Sequence, residues 1–143
     1  MEVKHQYISV FGPSQAHCSK EVYAFGEALG KCLANKGFGI VCGGMGGLME
    51  AVCKGAKSAE LSFYGGTIGI IPGEDAKLAN PYCDIVIPSG LGIGRNLLVA
   101  RTGFAAIAVA GGYGTLSEIA FAWQLGKPVC CVQKFGGWSE ELA

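Results

Sequence analysis

The chain is short of charge. Only 15% of its 143 residues are Asp, Glu, Lys or Arg, against roughly 25% in an ordinary globular domain. Acids and bases cancel at 11 each, which speaks against non-specific binding to nucleic acid or to an anionic membrane surface. Arginine is scarcer still: Arg95 and Arg101 are its only two, beside nine lysines. No apolar run approaches the ~20 residues of a membrane helix, and the start, Glu2-Val3-Lys4-His5-Gln6, is too polar for a signal peptide. Histidine is limited to His5 and His17, neither in zinc-ligand spacing with a cysteine, and no Cys-x-x-Cys occurs. The seven cysteines (Cys18, Cys32, Cys42, Cys53, Cys83, Cys130 and Cys131) are odd in number and scattered. They read as small hydrophobes of a cytoplasmic protein rather than a disulfide scaffold. We expect no metal and no resident cofactor.

What the chain does have is apolar residues, at 50%, and 24 glycines, a glycine share about double the usual ~7%. A chain of this length forms one domain, 1–143, and buries roughly two-thirds of its unfolded surface. Short apolar runs at 7–11, 38–42, 67–71, 84–87, 104–110 and 128–132 read as strands. Helical stretches are expected over 20–36, 48–58, 94–102 and 115–125, the first capped by Ser19 and stopped at Gly37. The polar stretch 74–82 reads as a loop, and a helix could begin after Gly136-Gly137. Continuous apolar strands alternating with helices, without period-two patterning, indicate a parallel sheet covered on both faces. The fold class is therefore α/β, a Rossmann-like, doubly wound parallel sheet in a single domain.

In such a fold, ligands bind at loops beyond the carboxyl ends of the strands. Three of these loops are glycine-rich: Gly12-Pro13-Ser14, Gly43-Gly44-Met45-Gly46-Gly47 and Gly111-Gly112-Tyr113-Gly114-Thr115. Glycine lets the backbone turn sharply and approach a ligand, and the helix that follows offers unpaired N–H groups to an anion. No P-loop is present, and Met49 takes the third glycine position of a dinucleotide fingerprint begun by Gly44 and Gly46. A phosphorylated ligand smaller than a dinucleotide is the natural expectation. Arg95, whose planar fork suits phosphate, is a candidate site residue; its spacing on a helix turns Arg101 another way. Glu118 has two readings. Thr115-Leu116-Ser117-Glu118 fits a capping box, and the same carboxylate could instead face a substrate. Glu50 is a weaker candidate for the pocket.

Arg95, then Gly111-Gly112-x-Gly114-Thr115-x-x-Glu118, together with Gly43-Gly44-x-Gly46-Gly47-Leu48-Met49, resembles the LOG-like ("lonely guy") superfamily, often mislabelled as lysine decarboxylases. The resemblance covers nearly the whole chain. It implies cleavage of the N-glycosidic bond of nucleoside 5′-monophosphates to a base and ribose 5-phosphate, with Gly111, Gly112, Gly114 and Thr115 holding the phosphate. Glu118 would then stabilise the ribosyl oxocarbenium ion or position water, and Arg95 would orient the substrate. Gly12, Ser14, Gly43, Gly44, Gly46 and Gly47 complete the expected ligand-binding set. The resemblance also implies a homodimer or higher homo-oligomer, and a further strand or helix is expected beyond Ala143; no nucleic-acid or membrane partner is expected, on the neutral charge. Lysine decarboxylation is not expected, because no lysine stands in a pyridoxal-phosphate motif.

Two departures open an alternative. Asn96 stands where the hydrolases carry lysine, and Ala110 replaces their proline. The phrase Gly90-Leu91-Gly92-Ile93-Gly94-Arg95-Asn96 is more similar to a neighbouring branch that includes molybdenum cofactor carrier proteins. That branch implies a nucleotide or pterin-type ligand that is bound without turnover. Enzyme and carrier both remain open at this point.

Overall fold

In a computed structural model, which describes residues 5–143, six parallel strands form one sheet. They are β1 (Tyr7–Phe11), β2 (Gly39–Cys42), β3 (Thr67–Ile71), β4 (Ile85–Pro88), β5 (Ala105–Val109) and β6 (Val129–Val132). The spatial order is β4-β3-β2-β1-β5-β6, with Ile8 of β1 registered between Ile40 of β2 and Ala105 of β5. Five helices follow the strands: α1 (Lys20–Asn35), α2 (Leu48–Lys57), α3 (Arg95–Thr102), α4 (Tyr113–Gln124) and α5 (Gly137–Glu141). The expected fold class is thus the observed one. The polar start Glu2-Val3-Lys4 lies outside the described residues. No helix among the described residues is long and apolar enough to cross a membrane.

Successive strand residues point to opposite faces, and here both faces are covered. Ile8, Val10 and Ile40 pack under Val22 and Leu33 of α1 and under Leu48 and Val52 of α2. Phe11, Val41 and Ile70 pack under Val99 of α3 and Ile119 and Ala122 of α4. That is why the strands read as unbroken apolar runs rather than alternating ones. Ser19 caps α1 as expected, its Oγ accepting from the N–H of Val22 at 3.1 Å. The α1–α2 contact depends on glycine: a Cβ on Gly55 would overlap the Glu27 carbonyl, and one on Gly30 the Val52 carbonyl.

Strands β1 to β4 step outward in one direction, and the chain then crosses back to lay β5 on the other side of β1. The β1–β5 boundary is the topological switch point, where diverging loops open a crevice at the carboxyl edge. Helix α3 is docked against that boundary by the buried Ser9. Its hydroxyl donates to the Val99 carbonyl at 2.6 Å and accepts from the Gly103 N–H at 3.1 Å. The first residue of α3, Arg95, is thereby held beside the crevice.

One local expectation is revised and another is met. Helix α4 starts at Tyr113 rather than at residue 115, because Ala110 (φ 49°) and Gly111 (φ 91°) turn the chain at once and Gly112 becomes the cap. The C-terminal segment also forms a real helix. In α5 the N–H groups of Trp138 and Ser139 donate to the carbonyls of Gly111 and Ala110, each at 3.0 Å. The Ser139 hydroxyl reaches the Ala108 and Val132 carbonyls at 2.8 Å.

Candidate ligand-binding site

The loops after β1, β2 and β5 converge on a cavity of about 630 Å³, within the range of small-molecule sites. A Cβ on Gly12 would overlap Leu48, and one on Gly111 would overlap the Thr115 side chain, so glycine at both positions lets α2 and α4 start close against the cavity loops. Gly112 differs: a Cβ there would enter open space. The first turn of α4, from Tyr113 to Thr115, forms one wall, and no side chain caps it. Its leading N–H groups have no intrahelical partner and carry the positive end of the helix dipole.

Arg95 also lines the cavity. Its guanidinium lies against Gly43, where a Cβ would sit 2.8 Å from Nη2 and 2.9 Å from Cζ, so glycine at 43 makes the room. Nη1 donates to Oδ1 of the buried Asn96. The Asn96 amide donates to the Ser117 hydroxyl at 3.1 Å, and that hydroxyl donates to the Gly114 carbonyl at 2.6 Å. One chain of hydrogen bonds therefore ties the guanidinium to Gly114 of the glycine-rich segment. Nε of Arg95 is buried and has no partner among the described residues. A buried donor without a partner is costly, so the placement of Arg95 here is maintained against a local penalty.

Glu118 lines the same cavity and is only 7% exposed. Burial raises its carboxyl from 4.5 to about 8, with Arg95 opposing the shift. Desolvation wins, and the carboxyl is predominantly protonated at neutral pH. The capping-box expectation is corrected: the cap position belongs to Gly112 and no side-chain cap is made, which leaves Thr115 and Glu118 inside the helix. Glu118 faces the cavity as a hydrogen-bond donor below about pH 8 and as a carboxylate above it.

Of the sequence candidates, Gly12, Ser14, Gly43, Arg95, Gly111, Gly112, Gly114, Thr115 and Glu118 come together around this one cavity. Gly44, Gly46 and Gly47 do not line it. A Cβ on Gly44 would press on Ile71 and Gly69, one on Gly46 on Gln15, and one on Gly47 on the Pro13 carbonyl. They shape the loop that delivers Gly43. Glu50 points elsewhere and accepts from the Tyr23 hydroxyl at 3.0 Å, while Arg101 is exposed. The cavity adds Met49 and Tyr113, which lie within the glycine-rich motifs, and His17, Phe135 and Gly137, which no local motif signals. Asn96 was visible only as a departure from a family pattern; its hydrogen bonds give it a place in the site. Among the described residues, no cluster of His, Cys, Asp and Glu is arranged to hold a metal ion.

The profile of the SLOG cluster4 family matches residues 5–142. An uncharacterised protein of Archaeoglobus fulgidus is 38% identical over 131 residues, spanning 92% of this chain and 82% of that one. Among solved structures, TM1055 superposes with a TM-score of 0.86 at 32% identity, covering 96% of this chain and 79% of its own. The molybdenum cofactor binding protein of Rippkaea orientalis superposes with a TM-score of 0.82 at 34% identity, covering 90% and 76%. The molybdenum cofactor carrier protein of Chlamydomonas reinhardtii gives 0.77 at 34% identity, covering 87% and 74%. With nearly its whole length matched, the chain belongs to the SLOG cluster4 family.

Proposed function

We propose that this protein binds and carries a phosphorylated small molecule of the molybdenum cofactor or nucleotide type. The observation that carries the reading is the pairing in one cavity of the Arg95 guanidinium with a Glu118 carboxyl that burial keeps protonated. Arg95 and the α4 N-terminus supply positive potential for a phosphate. The neutral Glu118 supplies a donor for a ring nitrogen or carbonyl, as a pterin or purine offers. Asn96, in place of a lysine, fixes Arg95 without adding a second cation. The names of the similar Rippkaea and Chlamydomonas proteins point the same way. A pterin cofactor would be cargo here, held through its phosphate and ring rather than through ligands to its metal.

A second reading is supported by Arg95 and Glu118 facing the same space: nucleoside 5′-monophosphate phosphoribohydrolase activity. An ionised Glu118 would stabilise positive charge growing on the ribose as the glycosidic bond breaks. The two readings differ in the charge on one carboxyl. Purified protein incubated with AMP, GMP, CMP, UMP and a modified adenosine monophosphate, scored for free base and ribose 5-phosphate, tests them. Release that disappears in Glu118→Gln establishes the hydrolase. A melting temperature raised by a phosphorylated ligand without release establishes the carrier.

The protein is further proposed to work in the cytoplasm, which suits its seven free cysteines, and to self-associate. Ile85 and Ile87 on edge strand β4 are exposed, as are Leu91 and Ile93 just before α3, and such a cluster suits a subunit contact. Sedimentation of the purified chain would measure the assembly.

A further inference from the structure

Away from the cavity, three cysteines from three elements meet beneath the second glycine loop. Cys42 ends β2, Cys53 lies in α2, and Cys83 stands on the turn before β4. The sulphurs of Cys42 and Cys53 are 3.7 Å apart, and those of Cys53 and Cys83 are 4.0 Å apart. The first two side chains are fully buried, whereas Cys83 is partly exposed. Gly69 makes room for it, since a Cβ there would sit 2.6 Å from the Cys83 sulphur. We propose that Cys83 is an oxidation site for hydroperoxides, with Cys53 as the thiol that resolves it to a disulfide.

The roles follow from position. An oxidant from solvent reaches Cys83 first, because its two neighbours are enclosed. The Cys53 thiol, 4.0 Å away, is placed to donate to a thiolate on Cys83, and hydrogen bonding of this kind holds the Cys83 thiol below the usual range. Hydrogen bonding and burial raise Cys53 instead. The Cys83 thiolate attacks the distal oxygen of the peroxide, forming an S–O bond and releasing hydroxide or alkoxide, which takes up a proton. The Cys53 sulphur then attacks the sulfenic sulphur. An S–S bond forms, the S–O bond breaks, and the oxygen leaves as water with the Cys53 proton. Two thiols lose two electrons, and the peroxide gains them.

Cys83 rather than Cys42 is the partner, because the sulphurs must close to ~2.05 Å. Cys83 rides on an irregular turn, whereas Cys42 is fixed in the central sheet and accepts from the Gly44 N–H at 3.4 Å. The same turn is bound to the loop that carries Gly43. The Asn80 N–H donates to the Gly44 carbonyl at 2.8 Å, and its amide donates to the Met45 carbonyl at 3.0 Å. The modification thus lies one loop from the ligand cavity.

The test uses the whole chain, reduced, freed of reductant without air, exposed to hydrogen peroxide at neutral pH, alkylated and digested. Mass spectrometry should find a Cys53–Cys83 peptide pair lighter by two hydrogens. In Cys53→Ser, dimedone should trap a sulfenic acid on Cys83, forming about tenfold faster than on the exposed Cys32. A Cys42–Cys53 link, or a Cys83 no more reactive than Cys32 in the unmutated protein, overturns the assignment. The unmutated chain supplies both readings, so a variant that folds poorly does not blunt the test.

Discussion

Glu118 makes stability report on its own protonation. Its carboxyl ionises near 4.5 when the chain is unfolded and near 8 when buried. Between those values the folded state holds a proton that the unfolded state has lost, so raising the pH favours unfolding. The contribution is fully present below the unfolded value and is gone once the pH has risen through the folded one. At 1.36 kcal/mol per unit, the carboxyl's contribution falls by about 3 kcal/mol between roughly pH 5.5 and pH 8.0. For a domain of this size, that corresponds to a loss on the order of 10 °C in melting temperature. Urea titrations or calorimetry across this interval, on the unmutated chain and on Glu118→Gln, measure it. Glutamine keeps the shape and cannot ionise, so the difference between the two proteins isolates Glu118 from other titrating groups. A difference that stays flat across the interval would refute the buried, protonated carboxyl, and with it the donor role assigned to Glu118.

Three further outcomes follow from the packing and the loops. Gly55→Ala drives a methyl into the Glu27 carbonyl of α1 and should destabilise the fold by about 2–3 kcal/mol, read as a lower urea midpoint. Ala110, at φ 49°, holds a left-handed conformation; Ala110→Gly should stabilise by about 1 kcal/mol, whereas Ala110→Pro, whose ring fixes φ near −65°, should prevent folding of the β5–α4 turn, seen as lost cooperative melting. Gly112→Ala places a methyl in open cavity; stability should change by less than about 0.5 kcal/mol while the melting shift given by a phosphorylated ligand shrinks.

The sheet was legible because burial on both faces leaves unbroken apolar runs: 7–11 and 67–71 coincide with β1 and β3. Helix α1 was legible for a local reason, a serine cap before an apolar stripe. Features set by distant contacts were less legible. The start of helix α5 was marked by Gly136-Gly137, but the hydrogen bonds to Ala108, Ala110 and Gly111 that hold it in place leave no trace in its own short sequence. The site was legible where conformation forces a residue type, as with Gly43 beside Arg95 and Gly111 at φ 91°. The same glycine signal overcounted at Gly44, Gly46 and Gly47, where space is needed for packing rather than for a ligand. Local spacing also assigned Glu118 a capping pattern that the turn at Ala110–Gly111 removes by starting the helix earlier.

Asn96 decides how the site's charge is set, and that dependence can be tested by reversing it. It lines the cavity with Glu118 and Arg95, and its neutral amide leaves Arg95, among the described residues, as the cation opposing the desolvation of the carboxyl. Asn96→Lys adds a second cation in the same low-dielectric space. A neighbouring opposite charge lowers a carboxyl by about 1–3 units, which would bring Glu118 from about 8 to an ionised state at neutral pH. The pH-dependent step in stability should then move to lower pH by that amount. If the charge on Glu118 separates holding a nucleotide from cleaving it, the same variant should release base from a nucleoside monophosphate where the unmutated chain releases little. A stability step that stays in place shows that the residue at 96 does not set the charge. A step that moves without any gain of cleavage leaves the charge assignment standing and shows that a hydrolase needs more than an ionised carboxylate here, namely a water or a ribose pose that this cavity does not provide.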